Sequence, residues 1–153
     1  MKVVEFIRPE SVVIDLAAKS KSRVLQIMSA KAGETLGIAE GSILQALLGR
    51  EKLGSTGIGE GIAIPHTRLQ GVSEPFGMLA KLVKAIDFEA IDGVPVDIIF
   101  LLLMPSESKN EHLNALACVA RQLRSQEVLK NIRNAMGVEE LYEAITLQAT
   151  SLQ

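Results

Sequence analysis

Val96-Asp-Ile-Ile-Phe-Leu-Leu-Leu-Met104 is the segment that decides the fold class of this chain. Nearly all of its residues are apolar, at odd and even positions alike, so the strand that it predicts has no face suited to water. Such strands lie centrally in sheets that helices cover on both faces. The longest apolar run, Ile98 to Met104, has seven residues, whereas a membrane-spanning helix needs about 20. We therefore predict a globular protein without membrane insertion.

The segments on either side of this strand predict further strands and helices. Short apolar runs predict strands over Ser11–Leu16 and Phe76–Val83, and the turn signal Ile91–Pro95 precedes the central strand. Apolar residues recur at helical spacing in five segments. Four of them are 22–32, which Gly33 would end, 39–52, 126–136 and 138–147. The remaining segment begins at the capping box Ser108–Glu111. The inward-facing residues predicted for the second and third helices are Ile43, Leu44, Leu47 and Leu48, and Leu113, Leu116, Ala117, Ala120 and Leu123.

This order of elements predicts an α/β fold. Early helices, central strands and late helices indicate a three-layer sandwich, with a mixed β-sheet flanked by helices on both faces. No repeat, charge block or Pro/Gly/Ser linker divides the chain. We therefore expect one domain over residues 1–153, with an ordered core over about residues 6–148.

Composition excludes several classes of protein. The 153 residues include 16 basic and 18 acidic side chains, for a net charge of −2, and only five aromatic ones. A nucleic-acid binder usually has a basic excess and stacking aromatics, so no nucleic-acid partner is predicted. Cys118 lies among small apolar residues, which predicts a position in the core. Because it is the single cysteine, no disulfide can form within the chain, which is typical of a protein from a reducing compartment. The N-terminus offers no signal-peptide core, and we expect a cytoplasmic protein.

The two histidines, His66 and His112, are candidates for chemistry. His66 follows Ile62-Ala-Ile-Pro65, where the proline would stop a strand and a rigid backbone would hold the imidazole within reach of solvent. His112 is near the start of a capped helix, where backbone amides favour an anion. A lone histidine is nevertheless more often structural, and two are too few for a zinc site.

A glycine-rich run, Gly54-Ser-Thr-Gly-Ile-Gly-Glu-Gly61, precedes His66 and has two explanations. Its glycines either permit left-handed backbone and tight packing, or bring backbone N–H groups close to a phosphate. The run lacks the Gly-Lys-Ser/Thr of a Walker loop and the spacing of a dinucleotide fingerprint. No nucleotide, metal or other cofactor is therefore predicted, and histidine itself remains as the candidate nucleophile.

Arg50-Glu-Lys-Leu53, the run from Gly54 through Ile62-Ala-Ile-Pro-His66, and Asn110-Glu-His-Leu113 closely resemble the fructose/mannitol-type enzyme IIA domain. This domain is a component of the phosphoenolpyruvate-dependent sugar phosphotransferase system. The Gly-Ser-Thr-Gly-Ile-Gly stretch and the length are most similar to its nitrogen-regulatory branch. The resemblance spans nearly the whole chain and implies an α/β sandwich with a mixed sheet.

The resemblance also implies roles for individual residues. His66 matches the phosphoacceptor, which would become a tele-phosphohistidine, His112 the second active-site histidine, and Arg50 the arginine near the phosphoryl group. Without the resemblance, the sequence around Arg50 indicates a solvated arginine at a helix end. The hydroxyl groups of Thr56 and Thr67 are further candidates for donating hydrogen bonds to the phosphoryl group, although Thr56 can equally be a turn residue.

Two positions depart from the family pattern. Thr67 stands where the family usually has glycine, so a hydroxyl would border the acceptor. Asn114 stands where many nitrogen-type relatives carry a further histidine. Neither departure removes the acceptor, but both bear on the choice of partner and on the rate.

Two functions follow from the resemblance. In the first, the protein is a phosphocarrier that takes a phosphoryl group from the phosphohistidine of an HPr-like protein. In the second, it is chiefly a regulatory module whose target proteins read its phosphorylation state, signalling nitrogen, carbon or ion status, because a phosphoryl group adds about −1.5 to −2 charges. The alternative is the IIA component of a fructose- or mannitol-type sugar permease, which would pass the phosphate to a IIB domain.

Overall fold

The computed structural model describes residues 1–107 and 109–147, and for residues 109–112 it describes the backbone alone. Within these residues, a 3-10 turn at Val3–Glu5 precedes six strands and five α-helices. The strands are β1 (Ile7–Leu16), β2 (Gly57–Gly59), β3 (Ile62–Ala63), β4 (His66–Leu69), β5 (Phe76–Ile86) and β6 (Val96–Pro105). The helices are α1 (Lys21–Leu36), α2 (Glu40–Lys52), α3 (Lys109–Gln122), α4 (Gln126–Asn134) and α5 (Val138–Thr146).

The strands form one mixed sheet in the order β1-β5-β6-β3-β2, and β4 pairs with β6 beyond the end of β3. Strand β6 is antiparallel to β5 and parallel to both β3 and β4. Strand β1 is parallel to β5, whereas β2 is antiparallel to β3. The central position predicted for the apolar segment is confirmed, as is the mixed character of the sheet.

Helices cover both faces of the sheet, as predicted. One face of β6 packs into a core with α3, α4 and α5, and the other packs into a core with α1 and α2. The residues that β6 directs to these two cores are Ile98, Phe100, Leu102 and Met104 on the first face, and Ile99, Leu101 and Leu103 on the second. The three-layer sandwich is therefore the observed architecture.

Helix α1 does not end at Gly33, as the sequence led us to expect. It continues to Leu36, and Gly37 ends it in a left-handed conformation with φ 69°. A Cβ atom at Gly33 would lie 2.6 Å from the carbonyl oxygen of Ile38. Glycine is needed inside the helix because the chain folds back over it at this point.

Two predicted helix faces also need correction. Leu48 on α2 is 37% exposed, whereas Ile43 and Leu47 are buried. On α3, Leu113 is 63% exposed and Ala117 is also exposed. The side chains that α3 buries instead are Ala115, Cys118, Val119 and Gln122. Apolar residues surround much of this helix, so their spacing did not determine which of them face the sheet.

Cys118 is buried, as expected of a core residue, and this burial raises the pKa of its thiol. The capping residue Ser108 lies outside the described residues. In the part of the chain that the structure covers, we find no helix with the length and apolar character that a membrane crossing requires.

Candidate functional site

Two short strands that pair with β6 place His66 beside that strand. Strand β3 ends at Ala63, which pairs with Ile99, and β4 begins at His66, which pairs with Leu102. Between them, the carbonyl of Pro65 accepts a hydrogen bond of 2.9 Å from the Leu102 amide. His66 is therefore the first residue of a strand, whereas the sequence placed it just after one. Pro65 interrupts the strand only briefly because its missing N–H removes a single donor.

The ring of His66 is oriented by its own backbone. Nδ1 lies 2.7 Å from the carbonyl oxygen of Ile64, and the imidazole is half-buried. A carbonyl oxygen can only accept a hydrogen bond, so Nδ1 carries the ring proton in this contact. In the neutral ring the lone pair is then on Nε2, which makes Nε2 the nucleophilic nitrogen.

The surroundings of His66 keep the imidazole neutral. Burial is the largest influence and lowers its pKa below the ordinary histidine value of 6.5. The hydrogen bond to Ile64 opposes this, the positive charge of Arg50 lowers the pKa further, and the negative charge of Glu51 raises it. Because the net pKa shift is downward, the nucleophilic form predominates at neutral pH.

Arg50 occupies the last turn of α2 and lies within electrostatic range of His66. Its Nη1 donates a hydrogen bond of 2.9 Å to the carbonyl oxygen of Gly54, which follows the helix. This contact uses one of the five guanidinium donors. The remaining donors are suited to an anion such as a phosphoryl group.

Thr56 is 3% exposed and its polar groups are directed at Glu51. Its amide donates a hydrogen bond of 3.0 Å to Oε1 of Glu51, and its hydroxyl donates to Oε2. The Thr56 hydroxyl proton therefore points to a carboxylate in this structure. Sequence reasoning overlooked Glu51, although its position beside Arg50 and five residues before Thr56 was an available signal.

Thr67 lies beside His66 on β4 and pairs with Leu103. Since neighbouring side chains of a strand point to opposite faces, Thr67 faces the layer of α1 and α2, whereas His66 faces the layer of α3. The hydroxyl of Thr67 donates to the carbonyl oxygen of Arg68 at 3.3 Å. A direct contribution of this hydroxyl to binding a phosphoryl group at His66 stays a prediction.

His112 belongs to the first turn of α3, and its side chain lies outside the described residues. The helix packs on the sheet face to which His66 points. The backbone thus brings the two histidines to the same face of the sheet. Asn114, two residues further along, is exposed.

The glycine-rich run is held in place by packing. A Cβ atom at Gly57 would lie 2.8 Å from the Cβ of Ala90, and one at Gly61 would lie 2.7 Å from Nη2 of Arg133. Gly61 also has a φ of +83°. These contacts support the structural explanation for the two glycines.

The arrangement is suited to nucleophilic chemistry on an anionic group. It combines a neutral imidazole with a defined nucleophilic nitrogen and a nearby guanidinium. Phosphoryl transfer mainly requires a positioned nucleophile and stabilisation of the charged oxygens. Among the described residues, no cluster of three or more His, Cys, Asp or Glu side chains could hold a metal ion.

Comparison with known proteins shows what this chain is similar to. It is 42% identical over 147 residues to the nitrogen regulatory protein of Bradyrhizobium diazoefficiens, an alignment that covers 96% of each chain. Its fold matches the crystal structure of nitrogen regulatory protein IIA-Ntr from Neisseria meningitidis with a TM-score of 0.87 and 31% identity, covering 93% of this chain and 97% of that one.

A more distant match shows the fold alone. The complex of enzyme IIAMTL and phosphorylated enzyme IIBMTL from Escherichia coli gives a TM-score of 0.75 at 18% identity, covering 94% of this chain and 100% of that one.

The family model described as phosphoenolpyruvate-dependent sugar phosphotransferase system, EIIA 2, matches residues 5–147. The chain therefore belongs to the EIIA type-2 family of the phosphoenolpyruvate-dependent phosphotransferase system.

Proposed function

We propose that this protein is a phosphocarrier that accepts a phosphoryl group on Nε2 of His66 from the phosphohistidine of an HPr-like protein. The phosphorus–nitrogen bond of the donor breaks as a new bond forms between phosphorus and Nε2 of His66. The donor imidazole keeps the electron pair of the broken bond. The product is a tele-phosphohistidine, and no cofactor takes part.

The observation that carries this proposal is the hydrogen bond from Nδ1 of His66 to the carbonyl oxygen of Ile64. It fixes the ring orientation before the donor arrives. Because the ring is already oriented, less entropy is lost in reaching the reactive geometry. It also favours the tautomer whose lone pair is on Nε2. Each effect supports transfer to Nε2 rather than to Nδ1.

Arg50 and His112 have supporting roles in this proposal. Arg50 would stabilise the charge on the transferring phosphoryl oxygens, which is where a guanidinium is most effective. His112 would act as the second histidine of the site, as the family resemblance implies, from the helix that covers the His66 face of the sheet. The hydroxyl groups of Thr56 and Thr67 would be further donors to the phosphoryl oxygens, although the Thr56 hydroxyl donates to Glu51 in this structure.

We further propose that the main role is regulatory and cytoplasmic, with phosphorylation-dependent binding to target proteins. The similarity to nitrogen regulatory proteins over nearly the whole chain supports this. Phosphorylation would add about −1.5 to −2 charges to the site, enough to alter binding to an apposed surface. The alternative is transfer of the phosphate to a IIB domain of a sugar permease, in keeping with the EIIA type-2 family to which the chain belongs.

Incubation with phosphoenolpyruvate, enzyme I and an HPr-like donor tests the phosphocarrier role. We expect an acid-labile phosphate on the wild-type protein and none on His66→Ala. Equal labelling of the two proteins would contradict the assignment of His66. His112→Ala should fold and accept phosphate more slowly, and an unchanged rate would contradict its role.

The two downstream roles are distinguished by following the phosphate after His66 is labelled. Adding a IIB domain and a candidate sugar would give sustained flux to the sugar if the protein is a permease component. A regulatory protein would instead retain its phosphate and bind its target with an affinity that differs between the two phosphorylation states.

A further inference from the structure

Glu51 carries a carboxylate that is withdrawn from water next to the phosphoryl site. Its side chain is 6% exposed. A carboxylate at this depth is costly unless hydrogen bonds and an opposite charge compensate it. The proposed chemistry uses His66 and Arg50 directly, so the buried charge of Glu51 requires a different explanation from within the structure.

Three donors surround this carboxylate. Oε1 accepts from the amide of Thr56 at 3.0 Å and lies 2.9 Å from Nζ of Lys21. Oε2 accepts from the hydroxyl of Thr56. Both oxygens are therefore used, and the charge is paired.

The three donors come from two separate parts of the fold. Lys21 is the first residue of α1, and Thr56 precedes β2 in the glycine-rich run. Lys21 also lies 4.8 Å from the ring centroid of Phe88 and 3.4 Å from Oε1 of Glu89. Through these contacts Glu51 joins the last turn of α2 to the start of α1 and to the glycine-rich run.

This connection bears on Arg50, which is the preceding residue of the same helical turn. Arg50 donates to the carbonyl oxygen of Gly54, and Glu51 accepts from Thr56. Two adjacent side chains of α2 thus hold residues 54–56 from both ends of that segment. Loss of either contact would free the segment and the guanidinium to move relative to His66.

We propose that Glu51 is a positioning residue for phosphoryl transfer, which holds Arg50 and the Gly54–Thr56 segment in register with His66. This inference rests on the proposed phosphocarrier function. Glu51 forms no bond to phosphorus and transfers no proton in the step. It acts by keeping the groups that face the phosphoryl oxygens in place.

A carboxylate is better suited to this task than an amide. Glutamine offers one acceptor oxygen and an NH2 group, and Thr56 presents two donors while Lys21 presents a cation. In Glu51→Gln, the NH2 group of the glutamine would therefore face a donor of Thr56 or Lys21 and could not accept a hydrogen bond from it. Glu51→Asp keeps both oxygens but shortens the side chain, so we expect it to recover part of the lost rate.

The test compares Glu51→Gln with Glu89→Gln in the full chain. Glu89 pairs with the same lysine but is 75% exposed, and the hydrogen bonds from the Thr56 amide and hydroxyl go to Glu51, which makes Glu89 a matched control. The first readout is the initial rate of phosphorylation of His66 by the phosphorylated HPr-like donor. We expect about a tenfold lower rate for Glu51→Gln, since small misplacements of reacting groups cost one to two orders of magnitude. Glu89→Gln should keep the wild-type rate.

The second readout is the pKa of His66, measured by NMR titration of the unphosphorylated protein. The negative charge of Glu51 raises this pKa, so Glu51→Gln should lower it, whereas Glu89→Gln should leave it unchanged. This pKa change reports the loss of the nearby charge, and the positioning role is tested by Glu51→Asp, which keeps the charge and should recover part of the lost rate. If Glu51→Gln does not fold, Thr56→Val is measured instead, which removes one of the three donors and should also slow transfer.

The outcomes separate the two levels of the proposal. A wild-type protein that accepts no phosphate would overturn the proposed function. A wild-type protein that is phosphorylated normally, with Glu51→Gln folded and equally fast, would overturn only the role of Glu51. Equal slowing in Glu51→Gln and Glu89→Gln would also overturn it, because the effect would then arise from Lys21 alone.

Discussion

Nδ1 of His66 lies 2.7 Å from the carbonyl oxygen of Ile64, two residues earlier in the chain. Pro65 separates the two residues and its own carbonyl accepts from Leu102 of β6. The acceptor of the ring proton is therefore part of the same edge segment that anchors the ring. The pairing of this segment with β6 therefore helps to determine that Nε2 of His66 is the nucleophilic nitrogen.

The first prediction concerns the pKa of His66. Burial and the charge of Arg50 lower it, so NMR titration should give a value below 6.5. The chain has two histidines, and His66→Gln identifies the relevant resonance. A pKa above 6.5 would contradict the electrostatic description of the site.

The same pKa shift predicts how stability depends on pH. Because folding lowers the pKa of His66, the unfolded chain binds this proton more tightly than the folded one. The resulting stabilisation is complete above pH 6.5 and is lost as the pH falls through the lowered pKa. Thermal denaturation should show a larger drop in Tm between neutral and acidic pH for the wild type than for His66→Gln.

Arg50→Ala should reduce the rate of phosphorylation of His66 by about 10²-fold, since removing one donor that stabilises developing charge has an effect of this size. The fold should be retained, because the described contact of Arg50 is a single hydrogen bond to Gly54 at the surface. Lys52→Ala, an exposed cation in the same helical turn, is the control and should keep the wild-type rate. Similar rates for Arg50→Ala and the wild type would contradict the role of the guanidinium.

Gly61→Ala should destabilise the protein by about 1–3 kcal/mol, as expected for a side chain forced into left-handed backbone. Gly61 has a φ of +83°, and the added Cβ would lie 2.7 Å from Nη2 of Arg133. That nitrogen donates to the carbonyl oxygen of Glu60 and to Asp97, so it is not free to move aside. Gly41→Ala, at an open position in α2, should not destabilise the protein. Urea denaturation measures both changes.

Lys81→Met should destabilise the protein by about 1–3 kcal/mol, the usual cost of leaving polar groups without their partner. Nζ of Lys81 donates to the carbonyl oxygens of Arg133 and Ala135, at 2.7 and 2.9 Å. These carbonyls lie at the C-terminal end of α4, where the helix leaves acceptors unpaired. The exposed Lys84→Met on the same strand is the control, and an equal effect of the two substitutions would contradict the capping role.

The sequence alone was sufficient to predict the architecture. The apolar residues of β6 leave no face for water, which requires helices on both sides, and this holds whatever the details of packing. Helix periodicity located the five helices of the described residues, and Gly137 correctly marked the break between α4 and α5. The motif around His66 also pointed to the family, because a short run of residues carried the resemblance.

Tertiary structure decided which side chains meet. The Thr56 hydroxyl was predicted to bind the phosphoryl group, but in the folded chain it donates to Glu51 on the preceding helix. Gly33 looks like a helix end in sequence, yet it is needed where the chain returns over α1. Likewise, the buried face of α3 depends on the sheet that it covers, since its apolar residues allow more than one orientation. Local patterns determine the elements, whereas contacts between distant segments depend on how the layers pack.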